Sequence, residues 1–353
     1  MINEIALTDL LARLDKLPRA SLALLPTPIQ PLKKFGIALG GAELWMKRDD
    51  LTGLEGGGNK TRKLEYLVGD ALQQGADMLV TVGAIQSNHT RQTAAAAAKS
   101  GLKCALLHCA WTRDAGPNYR TVGNVLLSHL MGAELYFEQT ERPIEDQGPL
   151  DEFVAHLKDQ GHTPYLIPGG ASEHCLGSMG YIQCAAELAV QSSACGLEFD
   201  HLVHCTGSSS TQAGLLAGFT ALGIKTRIIG VSDDAEIEIK KARVLRLANA
   251  ALQELGLAAR VLDQQVEVIS SNANAYGVPD TEIINGIRLL AQQEGLIADP
   301  VYEGRAIRGL LKLADDGRFE SNAKVLLMHL GGSPAIHAYA GHFDSVHLQP
   351  FTA

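Results

Sequence analysis

The chain has 353 residues, 46% of them apolar and 20% charged, so it can bury a sizeable core and reads as globular, in two lobes or one large α/β body. Thirty basic against 39 acidic residues leave a net charge of −9, which offers no field to draw nucleic acid or anionic lipid. Apolar runs such as 94–98 and 325–328 fall far short of the roughly 20 residues of a bilayer span, and the acidic start MINEIALTDL carries no export signal; a cytoplasmic address with no membrane partner is expected.

In chain order, the first apolar run bounded by turns is 42–47, read as a strand and followed by a helical pattern over Thr61–Gln74. Strand 77–84 precedes helix Ser87–Lys99, and strand 103–108 precedes helices Val122–Met131 and Leu150–Gln160. Strand 163–168 leads to helix Met179–Gln191, strand 201–207 to helix Thr211–Leu222, and strand 226–232 to helix Ala235–Leu255. Helices Asp280–Gln293 and Gly304–Asp316 then lead to a last strand at 324–330. Strands alternating with helices imply parallel sheets covered on both faces. Six cysteines without a C-x-x-C sit in apolar stretches and read as buried free thiols. Twelve histidines form no H-E-x-x-H, so no metal site is expected.

Glycine clusters mark the candidate site. Gly53 and Gly58 have Walker A spacing, but Asn59 pushes the lysine one place late, which leaves a phosphate-hydrolysing P-loop unsupported. The same residues present Lys60 at a helix start, where the dipole helps depress an ammonium pKa. A neutral lysine there is a nucleophile able to condense with the aldehyde of pyridoxal phosphate; the alternative is a solvated lysine opening an amphipathic helix. After strand 201–207, Gly207 and Ser208, Ser209, Ser210 and Thr211 open a helix as an anion cradle, or merely cap it. No G-x-G-x-x-G follows any strand, so a single phosphate monoester fits better than a dinucleotide. The turn at 84–91 also follows a strand; the amides of Ser87, Asn88 and His89 suit a carboxylate, and the Asn88 side chain suits a phenolic oxygen. Tyr302 and Glu303 lie in a polar turn, and Leu330 precedes the Gly331–Gly332 pair. Taken singly, Tyr302 reads equally as surface and Glu303 as a helix N-terminal carboxylate.

The strings Lys47-Arg-Asp-Asp, Gly57-Gly-Asn-Lys-Thr-Arg-Lys-Leu-Glu, Gln86-Ser-Asn-His-Thr-Arg-Gln-Thr, Asp299-Pro-Val-Tyr and Leu330-Gly-Gly-Ser-Pro-Ala occur in this order. In them the chain resembles pyridoxal-phosphate enzymes of the tryptophan-synthase β-like type (fold type II), and within these the 1-aminocyclopropane-1-carboxylate deaminase and D-cysteine desulfhydrase family. The resemblance runs from Leu25 to about Tyr339. It implies a two-domain fold, with a large cofactor-binding domain of residues 1–62 plus 173–353, a small domain of residues 63–172, and a homodimer. It implies that Lys60 forms the covalent link to the cofactor and shuttles protons, that Asn88 bonds the ring oxygen, and that Ser208, Ser209, Ser210 and Thr211 cradle the phosphate. Ser87 and His89 would hold the carboxylate of a small amino-acid substrate, Trp111 would line its place, and Tyr276 and Tyr302 would flank the reacting carbon. Glu303 would face the pyridine nitrogen beside Leu330.

Glu303 and Leu330 match the ring-opening deaminases, whereas desulfhydrases usually hold small hydroxyl residues at both places. A glutamate there keeps the pyridine nitrogen protonated, which suits a bond cleavage with no good leaving group. His89, where deaminases commonly carry glutamine, and the loop 52–56 lean toward desulfhydrases, and Ser209 and Ser210 depart from both. The expectation is ring-opening deamination, with D-cysteine desulfhydration the alternative; a non-catalytic amino-acid-binding protein would not need Lys60.

Overall fold

The computed structural model describes residues 3–112, 116–138, 148–233, 236–271, 275–344, 348–349 and 351. Six strands form one sheet: β1 (Ile29–Pro31), β2 (Glu43–Arg48), β7 (His201–Thr206), β8 (Arg227–Ser232), β9 (Glu267–Ser270) and β10 (Lys324–His329), in the order β1-β2-β10-β7-β8-β9. Four form a second, in the order β5-β4-β3-β6: β3 (Met78–Ala84), β4 (Lys103–Cys109), β5 (Glu134–Glu138) and β6 (Pro164–Ile167). Every pairing is parallel except β1 with β2. The helices are α1 (Glu4–Leu14), α2 (Asn59–Gln73), α3 (Asn88–Ser100), α4 (Gly123–Leu130), α5 (Gly148–Asp159), α6 (Met179–Cys195), α7 (Ser210–Leu222), α8 (Ile237–Glu254), α9 (Thr281–Glu294) and α10 (Glu303–Asp315).

All seven strands and nine helices expected from periodicity are present, with ends moved by a few residues; Ala235, the expected start of one helix, lies outside the described residues. The alternation of side chains shows why the central strands read as unbroken apolar runs. On β7 and β10, Leu202, Leu326 and Met328 face a core shared with α6 and α7, while Val203, Cys205, Val325 and Leu327 face a second core under α9 and α10. The first core continues beneath the smaller sheet through Leu79, Leu106 and Tyr165, and α5 covers that sheet's far face at Met78, Val80 and Leu107. The strands β1, β5 and β9 lie at sheet edges and are only partly buried, so no apolar run announces them. The helix α1 buries only Leu10 and Leu14. All six cysteines are free thiols, but Cys175 and Cys195 are exposed, which corrects the expectation that all six are buried.

The expected boundary between residues 62 and 63 falls inside α2. Four of the loops singled out above leave the carboxyl ends of parallel strands: β2 leads to the Lys60 turn, β3 to Ser87, β7 to Ser208 and β10 to Leu330, while the Tyr302–Glu303 turn follows α9. In open α/β sheets that edge is where ligands bind.

Candidate active site

Gly56, Gly57 and Gly58 all adopt positive φ (72°, 54° and 126°), and a Cβ on Gly57 would overlap the Asp50 carbonyl, so only glycine allows this turn. The turn closes through the Gly58 amide, which donates to Asp49 O (3.0 Å) and Thr52 Oγ1 (2.8 Å). A Cβ on Gly331 would come within 2.6 Å of Gly58 Cα, so the two glycine turns meet backbone to backbone, and the Asn59 amide donates to Leu330 O at 2.9 Å. Leu330 thus acts in the structure through its carbonyl, locking the end of β10 to the start of α2.

Beneath this start lies a sealed ionic network. Arg62 donates to both carboxylate oxygens of Asp49 (2.8 Å each) and to Glu187 (2.9 and 3.0 Å). Lys47 donates to Glu187 (2.5 Å) and Gln191 (2.6 Å), and the Tyr181 hydroxyl to Asp49 (2.7 Å). Two cations face two anions, so burial is compensated: the guanidinium moves up and both carboxyls stay below their usual range because of it.

Lys60 lies two residues before Arg62 on the same helix but finds no acidic partner among the described residues. Its Nζ lies 3.5 Å from Asn59 Oδ1, and burial lowers the amine to about 8, with Cys205 and Asp233 pulling the other way. One helical turn later, Lys63 is buried and donates to Ser210 Oγ (2.7 Å) and Ser208 Oγ (3.4 Å), its own pKa driven down by burial and then by Lys60. The sequence reading missed Lys63; its i, i+3 spacing from Lys60 was the available signal. Ser209 sits at φ 67° with a buried, unpartnered hydroxyl, and Thr211 Oγ1 accepts from Asn59 at 3.2 Å. A buried lysine without a carboxylate, an orphan hydroxyl and the N-terminus of α7 together make an anion site of the kind a phosphate fills.

On the smaller sheet, Ser87 caps α3, its Oγ accepting from Thr90 N at 3.2 Å, and the amides of Asn88 and His89 belong to the first turn. The His89 ring is tied down: Thr81 spends its hydroxyl proton on Ile167 O (2.7 Å), so it accepts from His89 Nε2 (2.8 Å). The buried Nδ1 is left as an unpartnered acceptor, and burial with two nearby lysines keeps the ring neutral. A carboxylate would therefore meet the backbone amide of His89, since the ring has no donor to spare. Trp111 packs against the apolar cluster of β3, β4 and α5, while its neighbour Thr112 is buried against Gly277, beside Tyr276, with no partner for its hydroxyl. Thr112 was not anticipated.

Across the site, the hydroxyls of Tyr276 and Tyr302 meet at 2.6 Å, and burial keeps both phenols protonated. Asp299 accepts from the amides of Val301 and Tyr302 (2.8 Å each); burial raises it to about 6 against those donors. Glu303, the first residue of α10, is buried, and desolvation followed by the charge of Asp299 drives its carboxyl well above the ordinary range. Its Oε1 has no partner among the described residues, while the Leu330 amide bonds the carboxyl and the neutral His329 stands nearby, its Nδ1 3.8 Å away and accepting from Gly331 N.

A poised amine, an anion cradle a helical turn away and a buried carboxyl with one oxygen unpartnered fit a phosphorylated aldehyde with a ring nitrogen, and so define a cofactor-dependent enzyme of amino-acid chemistry. Residues 20–331 match the family model described as pyridoxal-phosphate dependent enzyme, and the chain belongs to that family. It is 43% identical over 333 residues to a 1-aminocyclopropane-1-carboxylate deaminase of Burkholderia cenocepacia, covering 94% of this chain and 98% of the relative. A deaminase of the same name from Burkholderia orbicola matches with the same identity and coverage. Among solved structures, the crystal structure of an ACC deaminase homologue superposes with a TM-score of 0.85 at 36% identity, over 95% of this chain and 97% of that one.

Proposed function

We propose that this pyridoxal-phosphate enzyme opens the ring of 1-aminocyclopropane-1-carboxylate, consuming one water and yielding 2-oxobutanoate and ammonia. The observation that carries this is Glu303, buried, with its carboxyl shifted toward the neutral acid and Oε1 free of any partner, which supports a proton shared with a ring nitrogen. The names of the relatives point the same way. When bound, pyridoxal phosphate supplies an aldehyde for an amine and an electron-withdrawing ring.

The protein's own groups would divide the remaining work. Lys63, Ser208, Ser209, Ser210 and Thr211 hold the phosphate, and Asn88 meets the ring oxygen. The first-turn amides of α3, with Ser87, orient the substrate carboxylate. Lys60, with an amine near 8, takes and returns protons at the reacting carbons. The Tyr276–Tyr302 pair holds a proton on the far side. Expelling a carbon from a strained ring needs a stronger electron sink than expelling sulfide, and a buried carboxyl shifted toward its neutral acid supports that sink. The smaller sheet supports a lobe of residues 63–172, with α2 crossing its boundary; a homodimer and a cytoplasmic location complete the proposal.

The test is a panel of small amino acids assayed in parallel for 2-oxo acid and for sulfide. The expected result is 2-oxobutanoate from the cyclopropane substrate; brisk sulfide from D-cysteine with no 2-oxobutanoate overturns it.

A further inference from the structure

We infer that Asn124 is a positioning residue that sets the polarity of Asn88, fixing it as a hydrogen-bond donor toward the cofactor. Asn124 is fully buried near the start of α4, behind Asn88 and not itself among the proposed ligand contacts. Its Oδ1 accepts from Arg91 Nε at 2.7 Å; its Nδ2 donates to Gln86 O at 3.0 Å and to Asn88 Oδ1 at 2.7 Å. A carboxamide can turn by 180° at little cost unless its neighbours forbid it. Here they do. A guanidinium only donates and a backbone carbonyl only accepts, so exchanging the oxygen and nitrogen of Asn124 would set donor against donor at Arg91 and acceptor against acceptor at Gln86. With Asn124 locked, Asn88 must turn its oxygen toward it.

The consequence falls on the other end of Asn88. Its Nδ2 is left on the open side, 2.7 Å from where a Cβ on Gly332 would stand, in a side chain that is half-buried between buried Ser87 and His89. Arg91 is itself held by carbonyls, donating to Glu55 O and to Gly57 O (2.9 Å), so the same guanidinium clamps the glycine turn ahead of Lys60. The polarity therefore runs from Arg91 through Asn124 to Asn88. This rests on the reading above that Asn88 faces the ring oxygen. A donor there stabilises the deprotonated oxygen and lowers the pH at which the cofactor gives up the proton shared between ring oxygen and linking nitrogen.

The test is an absorbance titration of the holoenzyme with pH. In Asn124→Asp, one oxygen still accepts from Arg91, but the other can only accept, so Asn88 must turn its nitrogen inward and its oxygen toward the cofactor. The midpoint is expected to rise by about one to two pH units, and the rise should vanish in an Asn88→Ala background, because Asn124 acts only through Asn88. An unchanged midpoint, or the same rise without Asn88, overturns the inference. Should Asn124→Asp not fold, Asn124→Ala, which frees Asn88 to rotate, is expected to give a smaller rise in the same direction, and no rise overturns the inference. Borohydride reduction of the wild type separates the two readings: labelled Lys60 with an unmoved midpoint sinks the inference alone, whereas cofactor fixed elsewhere sinks the functional reading with it.

Discussion

Helix α2 separates two kinds of buried charge within four residues. Arg62 points into a network where two cations meet two anions, and its guanidinium and both carboxyls shift toward their charged forms. Lys60 and Lys63 point the other way, toward a region where no carboxylate pairs with them among the described residues, and burial shifts both toward the neutral amine. Glu303, across the same region, is shifted toward its neutral acid. Buried groups that serve only the fold are matched to their partners, because an unmatched one costs stability without return. Groups left unmatched in one place are where a charged ligand supplies the missing partners.

The largest expected effect comes from removing the group this contrast singles out. Lys60→Ala should lower turnover by on the order of 10²–10⁴-fold and abolish borohydride fixation of cofactor to the peptide that holds residue 60. Fixation at another lysine would break the assignment. On the matched side, Arg62→Met strands Asp49 in the interior without its cation, leaves Glu187 with Lys47 alone, and should cost about 3–5 kcal/mol of stability in denaturant unfolding. A loss below about 1 kcal/mol would mean that the network is no more than a surface-like ion pair.

Two further variants are expected to act with opposite signs on fold and ligand. Lys63→Met removes a buried amine that has no carboxylate partner among the described residues, so the cofactor-free protein should be no less stable, yet cofactor affinity should fall roughly ten- to a hundredfold, the loss of a charge-assisted bond to the phosphate of about 1.5–3 kcal/mol. Equal losses in both would make Lys63 structural. Glu303→Gln replaces an acid whose folded pKa lies above its ordinary value near 4.5. Such a group contributes fully only below that ordinary value and loses its contribution as pH rises. The variant should therefore melt higher than the wild type at pH 7 when cofactor-free, match it near pH 4, and turn over the ring-opening substrate more slowly. A lower melting point at pH 7 would show that Glu303 is ionised and paired.

What the sequence disclosed follows the range of the interactions. Strands such as β3, buried at every residue, are legible because both faces are covered, and Lys60 and Ser208 are legible because strand, glycine turn and helix lie within a few residues. The edge strand β5, ELYFE, has no such run. Lys63 was missed because the serines that reveal it lie 145 and 147 residues away, and Asn124 because its contact with Asn88 spans 36 residues and one helix-to-helix junction. The His89 ring depends on Thr81, a strand residue with no signal of its own. Local chemistry marked the candidate site, and tertiary contacts decide which way each polar group faces.

The smallest expected effect lies in the cradle. Ser209 holds φ 67° and ψ −30°, in the left-handed half of the map where a side chain crowds its own backbone. That costs about 1 kcal/mol or slightly more, and its buried hydroxyl finds no partner to offset it. Ser209→Gly removes the crowding and the orphan oxygen, but also frees the unfolded chain, a loss of similar size to part of the gain. The net should be a stabilisation of the cofactor-free protein by about 0.5–1 kcal/mol, read from denaturant midpoints at unchanged m-value. Cofactor affinity discriminates the role of the hydroxyl: a drop of several-fold means that Ser209 Oγ reaches the phosphate and that the strain is kept for the ligand. Unchanged affinity with increased stability would leave Lys63, Ser208, Ser210 and Thr211 as the whole of the cradle.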